Sequence, residues 1–192
     1  MKIIGLTGGI ATGKSEVTKI LREQGIQVFD ADAEVHELYK NGQAAKALKL
    51  LCPDPISGLV VDRKKLSKLI TEKPDLLKQI ESKIHPLVNQ IEKKFIDEAR
   101  RLGKPFVVID SPLLIEMDRS KDMDYVVLVA TTDELQKQRA IARPSMTKEK
   151  LDLILSKQMT TDEKRKYSHY VIENDAGLKE LESQTNAIFK QF

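Results

Sequence analysis

Residues 5 to 15 constrain this chain more than any others: Gly5-Leu-Thr-Gly-Gly-Ile-Ala-Thr-Gly-Lys-Ser15. The apolar run Ile3 to Leu6 predicts a buried strand before the turn. Apolar residues at Val17, Ile20 and Leu21 recur at helical spacing after it and predict a helix opening at Lys14. Between strand and helix, Gly8, Gly13, Lys14 and Ser15 fit G-x-x-x-x-G-K-[ST]. Triphosphate oxygens need several converging backbone N–H groups, and glycine lets the chain curl around them with no Cβ in the way. The helix N-terminus adds its positive dipole end. Lys14 adds a full charge near the β- and γ-phosphates, and Ser15 a hydroxyl for Mg²⁺. The loop predicts a triphosphate with Mg²⁺ and leaves the fate of the phosphate open.

The rest of the chain alternates in the way a parallel sheet needs. Strands are expected at Ile26-Gln-Val-Phe29, Phe106-Val-Val-Ile-Asp110, Tyr125 to Ala130 and Tyr170 to Asn174, making five with the first. Near-continuous apolar runs such as Tyr125 to Ala130 suit strands buried on both faces. Helices fill the intervals, giving an α/β fold with helices covering a five-stranded parallel sheet. Gln43 to Gly103 shows no convincing central strand, only a brief extended piece at Leu59 to Val61, and reads as a helical insertion. Within it Asp62 caps one helix, Pro74 begins another, and a long helix follows His85-Pro86.

Ligands of such sheets sit beyond the carboxyl ends of the strands. That edge gathers the loop, Asp30, Asp32, Asp110 and Asn174, together with the helix bearing Arg139 and Arg143. On an extended segment Asp30 and Asp32 share a face, and a carboxylate there can take the proton of an attacking hydroxyl. Asp110 closes an apolar strand, as an aspartate holding the Mg²⁺ hydration shell would. Arg139 and Arg143, four apart, lie on one helix face and offer planar donors to a γ-phosphate in transfer. The break at Pro144-Ser145 predicts a hinge for a closing lid. Lys164-Arg-Lys166 reads as a solvated face, and His36 and His169 have no supporting context.

Composition narrows the classes. With 32 basic and 29 acidic residues the net charge is +3, and aromatic residues make up 5%, which speaks against a nucleic-acid groove. The single cysteine, Cys52, excludes an internal disulfide and a cysteine-rich metal site. No apolar run approaches a membrane span, and a strand that starts at the first residues predicts no signal peptide. A cytoplasmic protein without a membrane or nucleic-acid partner is expected, with monomer and homo-oligomer both compatible.

Taken together, the motifs resemble those of the dephospho-CoA kinase family. They are Gly5 to Ser15, Asp30-Ala-Asp32, His85-Pro86, Asp110-Ser-Pro-Leu-Leu114 with Glu116, Gln138-Arg139 with Arg143, and Val171-Ile-Glu-Asn174, in the family's order. The resemblance implies a P-loop kinase fold. Its core would be about 1–31, 104–134 and 168–192, its helical acceptor-binding part about 32–103, and its lid about 135–167. It implies transfer of the ATP γ-phosphate to the ribose 3′-hydroxyl of dephospho-CoA. Asp32 would be the general base, and Lys14 and Arg139, with Arg143, would stabilise the moving phosphoryl group. Gly8, Gly9 and residues Ala11, Thr12, Gly13, Lys14, Ser15 and Glu16 would hold the ATP phosphates. Asn174 would lie near the adenine, and Ser15 would hold Mg²⁺. His85, Asp110 and Leu114 would contact the acceptor. Two positions depart from the family's habit: Pro144 follows the lid arginine where an acidic residue is common, and Ile154 stands where a basic one is frequent.

Other readings of the loop predict other sequences. A kinase for another nucleoside or nucleotide is open to the same fold. A regulatory NTPase switch would carry a guanine-reading N-K-x-D, which is absent.

Overall fold

The computed structural model describes residues 1–144 and 146–192; the expected hinge partner Ser145 lies outside the described residues. The chain divides into two compact units, Met1–Phe29 with Ala99–Phe192, and Asp30–Glu98.

The first unit is built on the apolar runs. β1 (Lys2–Thr7), β2 (Val28–Asp30), β5 (Phe106–Asp110), β6 (Tyr125–Ala130) and β7 (Tyr170–Glu173) form one five-stranded sheet in the order β2-β5-β1-β6-β7. β1 pairs in parallel with both β5 and β6, and β6 with β7. The central strands β5 and β6 are buried almost throughout, which accounts for their unbroken Val/Ile/Leu sequence. Ile4, Leu6, Val108, Val127, Val129 and Ile172 pack on Val17, Ile20 and Leu21 of α1 (Lys14–Glu23) and on Leu181 and Phe189 of α9 (Leu178–Phe189).

β2 starts two residues later than the apolar pattern suggests. Gly25, at φ 76°, donates its N–H to Arg22 O, and Ile26 donates to Leu21 O. That bond pair is a glycine helix stop, so Ile26 finishes α1 before a strand can begin.

The second unit holds α2 (Ala31–Lys40), α3 (Gln43–Leu48), a two-stranded antiparallel hairpin of β3 (Ile56–Ser57) and β4 (Val60–Val61), α4 (Arg63–Glu72) and most of α5 (Asp75–Arg101). Asp62 caps α4 by accepting from the Lys64 and Lys65 N–H groups at 2.9 and 3.1 Å. The expected helix break at His85-Pro86 does not occur. α5 runs 27 residues with Pro86 inside it and His85 exposed mid-helix. Apolar residues continue in register on both sides (Ile80, Ile84 and Val88 are all buried), and that burial outweighs the roughly 3 kcal/mol a mid-helix proline costs.

α6 (Asp133–Ile141), α7 (Lys148–Leu155) and α8 (Thr161–Arg165) complete the first unit. Among the described residues no helix is long and apolar enough to cross a membrane.

Candidate active site

The glycine-rich turn leaves β1 at Thr7 and enters α1 at Lys14. Its curl is fixed locally: Thr12 Oγ1 donates to Gly9 O at 3.0 Å. Two positions cannot carry a side chain. A Cβ on Gly8 would sit 2.7 Å from the Val129 carbonyl oxygen. Gly13 has φ +102°, and a Cβ there would come within 2.0 Å of Asn174 Nδ2. Ala11 is left-handed too, at φ 60°, which costs a residue with a Cβ about 1–2 kcal/mol. Its methyl packs with Ala140 of α6 and Leu151 of α7, so that strain is offset by contact. We expect Gly13→Ala to destabilise the protein by about 2 kcal/mol or more and to weaken ATP binding in parallel, measured by thermal melting and nucleotide titration. A wild-type melting curve would refute the packing argument.

The loop is also held from outside. The Ile10 N–H donates to Gln158 Oε1 at 3.0 Å, and the Ile10 carbonyl accepts from Gln136 Nε2 at 2.9 Å. The two peptide groups flanking Ile10 are thus each held by a glutamine from beyond β6. The Asn174 amide donates to Thr12 O at 2.9 Å, and Arg139 Nη1 donates to Asn174 O at 2.9 Å. Asn174 is buried and so links the loop to the α6 arginine.

Lys14 and Asp110 form a charge-assisted pair, and the second Asp110 oxygen accepts from Thr18 Oγ1 at 2.7 Å. Asp110 is 3% exposed and Lys14 17%. The β1–β5 register explains the meeting, since Leu6 sits opposite Asp110 and Lys14 opens the helix that returns over that edge. Leu114, four residues on, is fully buried.

A cleft of about 510 Å³ opens beside the loop, lined by Ala11, Gly13, Ser15, Glu16, Arg139 and Arg143 among others. Asn174 lines it too, as do Gly177, Leu178 and Leu181 around the start of α9. One cleft therefore gathers much of the expected nucleotide set. Arg143 reaches it by a different route from the one expected. α6 ends at Ile141, so Arg143 lies past the helix and not on a shared face with Arg139; Pro144 follows immediately, and the residue before a proline is pushed out of helical geometry.

Asp30 and Asp32 also depart from expectation. Asp30 caps α2, accepting from the Ala33 N–H at 2.9 Å. Asp32 is in the helix's first turn and exposed. Helical geometry sets residues two apart on different faces, so the two carboxylates do not act as a pair. Their separate roles follow: one closes the helix end, and the other is left open to solvent.

Lys164 contradicts the solvated-face reading. It is 1% exposed, with its ammonium 2.9 and 3.1 Å from the Glu116 oxygens. Burial pulls its pKa below the usual lysine range; Glu116 opposes that pull, and the nearby Lys14 charge adds to it. The only hint in the sequence was Thr160-x-x-Glu163, a capping box that the structure forms. It marks a helix start, and with it an inward face for Lys164.

Known proteins match the chain over nearly its full length. A model of the family described as dephospho-CoA kinase matches residues 2–180. A dephospho-CoA kinase from Rhodopseudomonas palustris is 40% identical over 190 residues, covering 99% of this chain and 95% of that one. A solved structure from Thermus thermophilus, TT1252, is 34% identical with a TM-score of 0.84, covering 100% of this chain and 97% of that one. A shikimate kinase from Acinetobacter baumannii, solved with shikimate, covers 100% of this chain and 92% of its own at 18% identity and TM-score 0.52, which shows a shared fold.

Proposed function

The chain belongs to the dephospho-CoA kinase family and is a P-loop kinase, and we propose that it transfers the ATP γ-phosphoryl group to the ribose 3′-hydroxyl of dephospho-CoA. The products are coenzyme A and ADP. The observation that carries this reading is one cleft lined by Gly13, Ser15, Glu16, Arg139, Arg143 and Asn174.

Phosphoryl transfer asks for positioning and charge more than for covalent chemistry. The loop peptides and the α1 N-terminus bind the phosphates. Lys14 and Arg139 meet the charge that spreads over the moving phosphoryl group, where preorganised donors are worth most, and Arg143 adds a third cation at the cleft. Asp32 takes the proton of the 3′-hydroxyl as its oxygen attacks phosphorus and the bond to the ADP oxygen breaks. Its exposure and its place just after β2 support that role, since Asp30 already serves the helix cap. Asn174 borders the nucleoside end of the cleft. His85 and Asp110 are proposed as acceptor contacts; Leu114, expected among them, is fully buried and does not reach a substrate.

Magnesium fits the donor set. Ser15 and Asp110 offer hard oxygens, and among the described residues no group of three His, Cys, Asp or Glu could hold an ion alone. Mg²⁺ is commonly held by one or two protein oxygens together with substrate phosphates, and Ser15 and Asp110 would supply the protein oxygens. When bound, Mg²⁺ neutralises β- and γ-phosphate charge.

The test is ADP release with dephospho-CoA, AMP, nucleosides or water as acceptor. Release that requires dephospho-CoA supports the assignment. Release with no acceptor would make the protein an ATPase instead.

A further inference from the structure

Lys164 sits in a circuit of partly buried polar contacts that begins and ends at the phosphate loop. Its ammonium donates to the Pro112 carbonyl at 2.8 Å. The same carbonyl accepts from Thr7 Oγ1 at 3.2 Å, and Thr7 is the residue just before Gly8. On its other side Lys164 pairs with Glu116, whose Oε1 accepts from the Met159 N–H at 2.8 Å. Met159 follows Gln158, which holds the Ile10 N–H. The circuit thus runs from Thr7 through Pro112, Lys164, Glu116 and Met159 to Gln158 and back to Ile10. Pro112 is two residues from Asp110, the partner of Lys14.

A buried ion pair is weak evidence for stability, because desolvating both charges offsets most of their attraction. Position is the better reason for this one. The pair reaches two backbone groups, the Pro112 carbonyl in the turn after β5 and the Met159 N–H between α7 and α8, and each segment also bonds to the loop or to the residue that opens it.

We propose that Lys164 is a positioning residue of the phosphotransfer site. It fixes the Pro112 carbonyl, and through Glu116 it fixes Met159 and Gln158, so that the phosphate loop is held in its anion-binding form before ATP arrives. Lys164 does not touch the substrate in this scheme; it acts through the loop. The proposal rests on the reading of Gly8 to Ser15 as the ATP loop, but not on the identity of the acceptor.

The experiment is therefore ATP binding without acceptor, by titration with Mg²⁺ present, for Lys164→Met and for Lys164→Met/Glu116→Gln. The single variant leaves the Glu116 carboxylate, 14% exposed, without its ammonium partner and melts lower. The double variant removes both charges, keeps an acceptor for the Met159 N–H, and is expected to melt within about 3 °C of wild type, the scale of a sub-kcal/mol change. Both are expected to bind ATP about tenfold more weakly, the loss of roughly one good contact. Recovery of ATP affinity together with melting temperature in the double variant would reduce Lys164 to a structural pair and overturn the proposal. So would a Kd within twofold of wild type in the single variant. If the single variant fails to fold, the double variant decides alone. Wild-type protein that binds ATP but does not phosphorylate dephospho-CoA would sink the acceptor assignment and leave this test intact.

Discussion

Replacing Asp32 by asparagine is expected to lower kcat with dephospho-CoA about 10²–10⁴-fold, the range that a positioned proton acceptor contributes. The affinity for ATP is expected to stay within about twofold of wild type, or about 0.4 kcal/mol. Asparagine matches aspartate in shape, so the change removes charge and basicity with little else. A competing account gives Asp32 only a favourable place in the α2 dipole, as an acidic residue in the first turn. That account predicts a loss of about 0.3–1 kcal/mol of stability with kcat unchanged. Steady-state kinetics at saturating ATP, alongside thermal melting, separates the two. Wild-type turnover in Asp32→Asn would end the general-base assignment. Because Asp30 already caps the helix through the Ala33 N–H, and asparagine caps about as well as aspartate, Asp30→Asn is the matched control and should leave turnover near wild type.

The sequence is a good guide to the fold, for a physical reason. Strands such as Val126 to Ala130 are buried on both faces, so apolar runs of that kind have few other places to go. The loop is equally readable, because Gly8 and Gly13 are demanded by backbone approach within a short window. What the sequence conceals are pairings across large separations. Lys164 with Glu116 spans 48 residues and Gln158 with Ile10 spans 148, and no periodicity signals either. Lys164 in particular sits in a run of three basic residues, where charge alone suggests solvent; only the short α8 turns it inward. The Asp30–Asp32 departure is local instead. Both residues are near a strand end, and one hydrogen bond to Ala33 decides that the chain is already helical there.

Lys14→Met should lower kcat/KM by about 10³-fold or more. Loss of one preorganised donor to developing charge costs about 10²–10³ in kcat, and the ground-state triphosphate loses the same contact, so ATP binding falls as well. This distinguishes Lys14 from Asp32, whose loss should appear in kcat alone. A second effect must be kept apart from the chemistry. Methionine leaves Asp110, 3% exposed, without its ammonium partner and with Thr18 as its described neutral donor. Breaking a buried pair on one side costs on the order of 3 kcal/mol, so Lys14→Met should also melt lower. The double variant Lys14→Met/Asp110→Asn removes the carboxylate charge as well and should regain most of the melting temperature, since a neutral amide can still bond to the Thr18 hydroxyl. It should regain none of the activity. Kinetics taken well below each melting point decide the matter. If Lys14→Met keeps more than about a tenth of the wild-type kcat/KM, a loss of under about 1.4 kcal/mol in transition-state stabilisation, then Lys14 serves Asp110 and not the phosphoryl group, and the electrostatic account of the loop is wrong.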